Sequence, residues 1–130
     1  MILGIGTDLC DIGRIEAALA RFGDRFARRV LVEAELVHFA RHRKPAAYLA
    51  KRFAAKEAFS KAIGTGIRAP VNWHNISVAN ARSGAPHFVL SPALQTMVTE
   101  RGIRHIYLTL TDERAMAAAF VIFEGEATRD

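Results

Sequence analysis

Apolar residues recur at spacings of three and four through the first part of the chain, at Ile12, Ile15, Leu19, Phe22 and Phe26. That period predicts an amphipathic helix. Before it, residues 2–10 form an apolar run punctuated by Gly4 and Gly6, short enough for a buried strand. Asp11 is a plausible N-cap between the two, and Gly23 predicts a break, with a second helical piece starting at Asp24. A further helix is expected over residues 33–43. Pro45 separates it from a longer helix over residues 46–63, which ends at Gly64-Thr65-Gly66.

Beyond Gly66 the period changes. Residues 75–79 and 87–90 predict strands joined by a turn at Ser83-Gly84-Ala85-Pro86. Ser91 caps a helix with Pro92 in its first turn, running to Gly102. Residues 105–111 and 115–123 predict a closing strand pair with Asp112-Glu113-Arg114 at the turn. Helices early and strands late argue for an α+β domain, with helices packed on a small, mainly antiparallel sheet. No internal repeat or linker interrupts the 130 residues, the size of one domain.

Composition narrows the class. Hydrophobic residues make up 51% of the chain, which excludes a disordered tail. Lys and Arg total 18 against 13 Asp and Glu, so an anionic partner is expected: nucleic acid, phosphorylated ligand, acidic protein or lipid head groups. Cys10 is the single cysteine and lies beside Asp8 and Asp11, a setting for a buried small hydrophobe rather than a reactive thiol. No apolar run approaches the ~20 residues that span a bilayer, and the N-terminus lacks a charged leader. A soluble, cytosolic protein is the expectation.

The helix over residues 46–63 carries the most chemistry. It is apolar on most sides yet holds five charges between Lys51 and Lys61. Glu57 and Lys61, four apart, can touch, and their ordinary meaning is a surface ion pair. Lys61 and the glycines of Gly64-Thr65-Gly66 also suit a phosphate, because unhindered amides approach an anion closely. Asp8, at the end of the first strand, reads either as a helix-capping aspartate or as one of the one or two carboxylates that hold Mg²⁺. Arg14, Arg21, Arg25 and Arg28 share one face if the first helix is continuous; such a face is either solvated or a dock for an acidic partner. His38 and His42 lack a third ligand for zinc, and His74 and His87 are expected to face solvent.

Read in order, these stretches resemble the holo-acyl-carrier-protein synthases, small single-domain 4′-phosphopantetheinyl transferases. The resemblance rests on Gly4-Ile-Gly-Thr-Asp-Leu-Cys-Asp-Ile with Arg14-Ile15, and on Arg21-Phe-Gly-Asp-Arg-Phe. It continues through Lys51-Arg-Phe-Ala-Ala-Lys-Glu-Ala-Phe-Ser-Lys-Ala, Gly64-Thr-Gly-Ile, Gly84-Ala-Pro and His105-Ile-Tyr-Leu-Thr-Leu-Thr-Asp-Glu. It implies transfer of the 4′-phosphopantetheine arm of coenzyme A to a serine of apo-acyl carrier protein, leaving adenosine 3′,5′-bisphosphate.

The same resemblance assigns Asp8 and Glu57 to Mg²⁺ and, with Lys61, to catalysis. Arg52, Lys61, Gly64, Thr65, Gly66 and His105 would line the coenzyme A phosphates, with Pro86 near the adenine and Arg14 and Arg21 docking the carrier protein. It further implies a homotrimer with sites between neighbouring subunits, so that Asp8 and Glu57 meet across an interface. Thr109-Leu110 departs from the Ser-His of many members, and no acid or base role is assigned there. The rival readings, a nucleic-acid-binding module and a carrier-binding scaffold without catalysis, are disfavoured by Asp8, Glu57 and Lys61. Neither nucleic acid nor membrane is an expected partner.

Overall fold

Asp11 ends the first strand and starts the first helix, its carboxylate accepting the Arg14 backbone N–H at 3.3 Å. In the computed structural model, which describes residues 1–127, the elements follow as β1 (Ile2–Asp11), α1 (Ile12–Phe22), α2 (Asp24–Val30), α3 (Glu33–Arg41) and α4 (Pro45–Ile63). Then come β2 (Ile76–Asn80), β3 (Pro86–Leu90), α5 (Pro92–Glu100), β4 (Ile103–Glu113) and β5 (Met116–Gly125). The α+β expectation holds, with every strand pair antiparallel. The strands form two sheets: β1-β5-β4, and the β2-β3 hairpin. The last hairpin turns at Arg114 and Ala115, later than expected, because β4 extends to Glu113. The break at Gly23 is real, at φ 61°, so α1 and α2 are separate helices.

α4 is buried on nearly all sides because it is the centre of the molecule. Ala54, Ala55, Ala58 and Phe59 are completely inaccessible. The Phe59 ring meets Phe123 of β5 at 5.1 Å and Phe88 of β3 at 5.2 Å, both edge-on, and so joins the two sheets. Close approach of α4 to β1 depends on Gly4 and Gly6. A Cβ on Gly4 would run into the Ala62 carbonyl oxygen, and one on Gly6 into that of Ala58. Strand alternation then turns Asp8, two residues on, toward the same helix.

The charges of α4 divide between two sides. Lys56 is fully buried and donates to Glu35 Oε1 at 2.7 Å, the Val30 carbonyl at 2.6 Å and the Trp73 carbonyl at 3.0 Å. Glu35 also accepts the backbone N–H groups of Val32 and Val78, each at 2.9 Å. All three ammonium protons and both carboxylate oxygens are thus used, which is what makes a buried ion pair tolerable. Burial pulls the Lys56 pKa down, and Glu35 partly restores it. The pair ties α3 and β2 to α4.

The outer face of the three-stranded sheet is apolar and uncovered. Register sets Ile5, Ile122 and Tyr107 in one cross-strand row and Thr7, Phe120 and Thr109 in the next. Ile5 is 65% exposed, Leu9 68% and Phe120 52%.

Candidate active site

On the inner face of β1, the Asp8 carboxylate meets α4. Lys61 Nζ lies 3.0 Å from Asp8 Oδ1 and 3.0 Å from the Thr7 carbonyl oxygen, to both of which it donates. Lys61 therefore pairs with Asp8, correcting the expected Glu57–Lys61 pair: the strand end offers it two acceptors across the tight glycine contact. Glu57, one turn before Lys61 on the same side of α4, lies within the field of both. Burial pushes its carboxyl pKa up first, Asp8 adds to this by repulsion, and Lys61 offsets part of it.

Asp8 and Glu57 influence one another within a single chain. Asp8 is paired with Lys61 while Glu57 feels both only through their charge, so the two carboxylates are hard oxygen donors with charge left to satisfy. That set fits a divalent cation that keeps most of its ligands as water and phosphate oxygens. Among the described residues no group of three His, Cys, Asp or Glu side chains forms a larger metal cluster.

Gly64-Thr65-Gly66 follows directly. Gly64 adopts φ 86° and Gly66 φ 67°, the left-handed conformations that stop a helix. The Gly64 N–H donates to the Ser60 and Lys61 carbonyls at 3.2 and 3.1 Å, and the Gly66 N–H to Ser60 at 3.2 Å. Both glycine amides are therefore committed to ending α4, and what the segment presents beside Lys61 is the half-exposed Thr65. Nothing stands within 4 Å of the positions a Cβ would occupy on Gly64 or Gly66, so their surfaces are open to a ligand.

Arg52 is elsewhere. At about 100° per residue it is turned about 140° from Glu57 around α4, and it lines a cleft of about 570 Å³ with Arg41, His38, Lys51 and Asn80. Its guanidinium is 4.2 Å above the Tyr48 ring, and Nη2 donates to Asn80 Oδ1 at 2.8 Å. Pro86 opens β3 opposite Asn80, on the same side as Arg52. The Asp8–Lys61 pair and Arg52 therefore lie on different sides of α4.

His105 belongs to neither. Asp8, Ala119 and Leu110 form one cross-strand row, and His105 lies five residues from Leu110 along β4, about 17 Å. It is exposed, and strand alternation turns it to the face opposite that of Asp8. Leu110, where the sequence departs from Ser-His, shares the row of Asp8 on the inner face and offers no proton.

Arg14, Arg21, Arg25 and Arg28 are all exposed, but the Gly23 break divides them between two helices. Arg14 borders a slot of about 300 Å³ lined by Leu9, Ile15, Phe26 and Phe53. Cys10, in the same slot, is buried, and its thiol is pushed up to about 11 by burial and by Asp8, which leaves it protonated and inert. His74 and His87 are exposed as expected, although His74 Nε2 is 2.7 Å from the Arg28 carbonyl.

Sequence reasoning missed Glu35, Tyr48 and Asn80. Glu35 carried a local signal: it stands at the N3 position of α3 and accepts the N–H of Val32 at the helix start. Asn80 had none beyond its place at a strand end.

Residues 4–119 match the family model described as the 4′-phosphopantetheinyl transferase superfamily. The holo-[acyl-carrier-protein] synthase of Laribacter hongkongensis is 53% identical over 125 residues, covering 96% of this chain and all of that one. The crystal structure of the synthase from Neisseria meningitidis superposes with a TM-score of 0.92 at 47% identity, covering 95% of this chain and 99% of that one. That from Bacillus anthracis, in complex with CoA (3′,5′-ADP), superposes with a TM-score of 0.81 at 34% identity over 97% and 99%. With the Gly4-to-Asp8 strand packed on α4 and the match running almost from end to end, the chain belongs to the holo-[acyl-carrier-protein] synthase family of the 4′-phosphopantetheinyl transferase superfamily.

Proposed function

We propose that this protein transfers the 4′-phosphopantetheine arm of coenzyme A to a serine hydroxyl of apo-acyl carrier protein, releasing adenosine 3′,5′-bisphosphate. The observation that carries the reading is the convergence of Asp8, Glu57 and Lys61 at the end of β1. Asp8 and Glu57 would hold Mg²⁺, which supplies charge neutralisation on the diphosphate. In the transfer, the serine oxygen forms a bond to the phosphorus that carries pantetheine, and the bond from that phosphorus to the oxygen of the nucleotide phosphate breaks. Lys61, already fixed by Asp8 and Thr7, donates toward the departing phosphate. Glu57, whose carboxyl pKa is raised by burial and by Asp8, is the chain's own candidate to accept the serine proton.

Arg52 on α4 and Pro86 on β3 would hold the nucleotide end, away from Asp8. His105 also stands apart, so these three residues reach the reacting phosphate only if a neighbouring copy contributes them. The apolar outer sheet face around Ile5, Leu9 and Phe120 supports such assembly, because exposed patches of this kind mark protein interfaces. The number of copies, three, rests on the resemblance. Arg14 and Arg21 would dock the acidic carrier, with the slot behind Arg14 taking an apolar side chain. A cytoplasmic location is part of the same reading; among the described residues no helix is long and apolar enough to cross a membrane.

The test is direct. Purified protein is incubated with coenzyme A, Mg²⁺ and apo-acyl carrier protein, and the carrier is weighed by mass spectrometry, with a chelator in a parallel reaction. A gain of one phosphopantetheine, lost with chelator, is expected. No gain with any of several carrier proteins overturns the reading.

A further inference from the structure

Arg52 is an arginine held rigid before any ligand arrives. It is only 6% exposed, its plane lies on Tyr48, and its buried Nε has no partner among the described residues. One side chain fixes its remaining freedom. Asn80 Oδ1 accepts from Arg52 Nη2 at 2.8 Å, while Asn80 Nδ2 donates to the Gly84 carbonyl at 2.9 Å. The amide can be oriented only one way, because guanidinium only donates and a carbonyl only accepts.

Asn80 is also the last residue of β2 and pairs in register with Pro86. The intervening turn closes by Ala81 N–H to Ala85 carbonyl at 2.9 Å and Gly84 N–H to Ala81 carbonyl at 2.8 Å. A single planar amide therefore ties the guanidinium to the turn that leads into Pro86, joining residues 28 and 4 positions away from it in sequence.

We infer that Asn80 is a positioning residue for coenzyme A binding: it holds the Arg52 guanidinium and the 81–85 turn in one fixed arrangement. The inference rests on the proposed function, in which Arg52 binds a phosphate of coenzyme A. Pre-ordering a long side chain lowers the cost of ordering it on binding, so the effect falls on affinity and spares the chemical step. Tyr48 restrains Arg52 perpendicular to its plane, and Asn80 restrains it within that plane.

A double-mutant cycle tests this. Asn80→Ala should raise KM for coenzyme A about tenfold with kcat changed less than about twofold. Added to Arg52→Ala, it should raise KM further by less than about twofold, because its effect runs through the guanidinium. Asn80→Asp, which keeps the oxygen facing Arg52 but loses the donor to the Gly84 carbonyl, should raise KM by less than Asn80→Ala does. Coenzyme A titrations by calorimetry need no turnover and give the same comparison, and Arg52→Gln replaces Arg52→Ala if the latter fails to fold. An unchanged KM and Kd in Asn80→Ala overturns the inference. So does an equal loss in the Arg52→Ala background, which would assign Asn80 to the turn alone. If Arg52→Ala binds coenzyme A normally while transfer persists, the phosphate role of Arg52 falls, and Asn80 with it; loss of transfer from the unmodified protein would instead mark failure of the function itself.

Discussion

Lys61 Nζ sits 3.0 Å from Asp8 Oδ1, bridging residues 53 positions apart in sequence. Lys61 is half-exposed while Asp8 is mostly covered, so the pair contributes little to stability, about 0–1 kcal/mol. Its consequence is geometric: an ammonium held beside two carboxylates at the mouth of a strand. Asp8→Ala is expected to leave the melting temperature within about 2 °C, consistent with that small contribution. Phosphopantetheine transfer should fall about 100-fold or more. Thermal melts, rate measurements and Mg²⁺ titrations check all three parts, including loss of the Mg²⁺ dependence.

Glu57 sets a pH dependence. Its folded-state pKa is raised above the unfolded value near 4.5. Between those two values the native state binds more protons than the unfolded one, so stability falls as pH rises through that window. In metal-free protein, Glu57→Gln should therefore raise the melting temperature at neutral pH and flatten its change above pH 4.5. Melts in chelator at stepped pH show this; a mutant that melts lower at pH 7 contradicts it.

The Lys56–Glu35 pair predicts the opposite pattern of cost. Lys56→Met leaves a buried carboxylate with two amide partners and no counter-ion, a loss of about 3–5 kcal/mol. Glu35→Gln combined with Lys56→Met should recover only part of that loss, because the uncompensated charge is gone but one of the two backbone N–H groups loses its acceptor. Urea denaturation of the two variants measures the difference.

Gly6→Ala would force a methyl group into the Ala58 carbonyl. The expected outcome is destabilisation of about 3 kcal/mol, with displacement of Asp8 from Lys61. Transfer should fall more steeply than folded fraction, which circular dichroism and activity at low temperature separate.

The exposed sheet face predicts self-association. Phe120→Glu, in the row of Thr7 and Thr109, should give a monomer by light scattering and lose transfer while retaining the fold. An oligomer unchanged by this substitution would remove the sheet face as the interface.

The sequence by itself determined the elements and their order, because each rests on local chemistry. Ile12, Ile15 and Leu19 recur at the helical period, Asp11 and Ser91 cap helices within three residues, and Gly64 stops α4 where only glycine turns freely. That Gly64 and Gly66 end the helix was legible, but not that their amides are taken up by the Ser60 and Lys61 carbonyls and so withheld from a ligand. Tertiary structure alone decided the pairings. Glu57 and Lys61 are neighbours by spacing, yet Lys61 turns to Asp8, because Gly4 and Gly6 let β1 press against α4 and bring two oxygen acceptors within reach. Likewise Lys56, one residue before Glu57, is buried on Glu35, and Arg52 is fixed by Asn80. Side-chain partners are chosen by which surfaces pack, and packing joins residues that no local period relates.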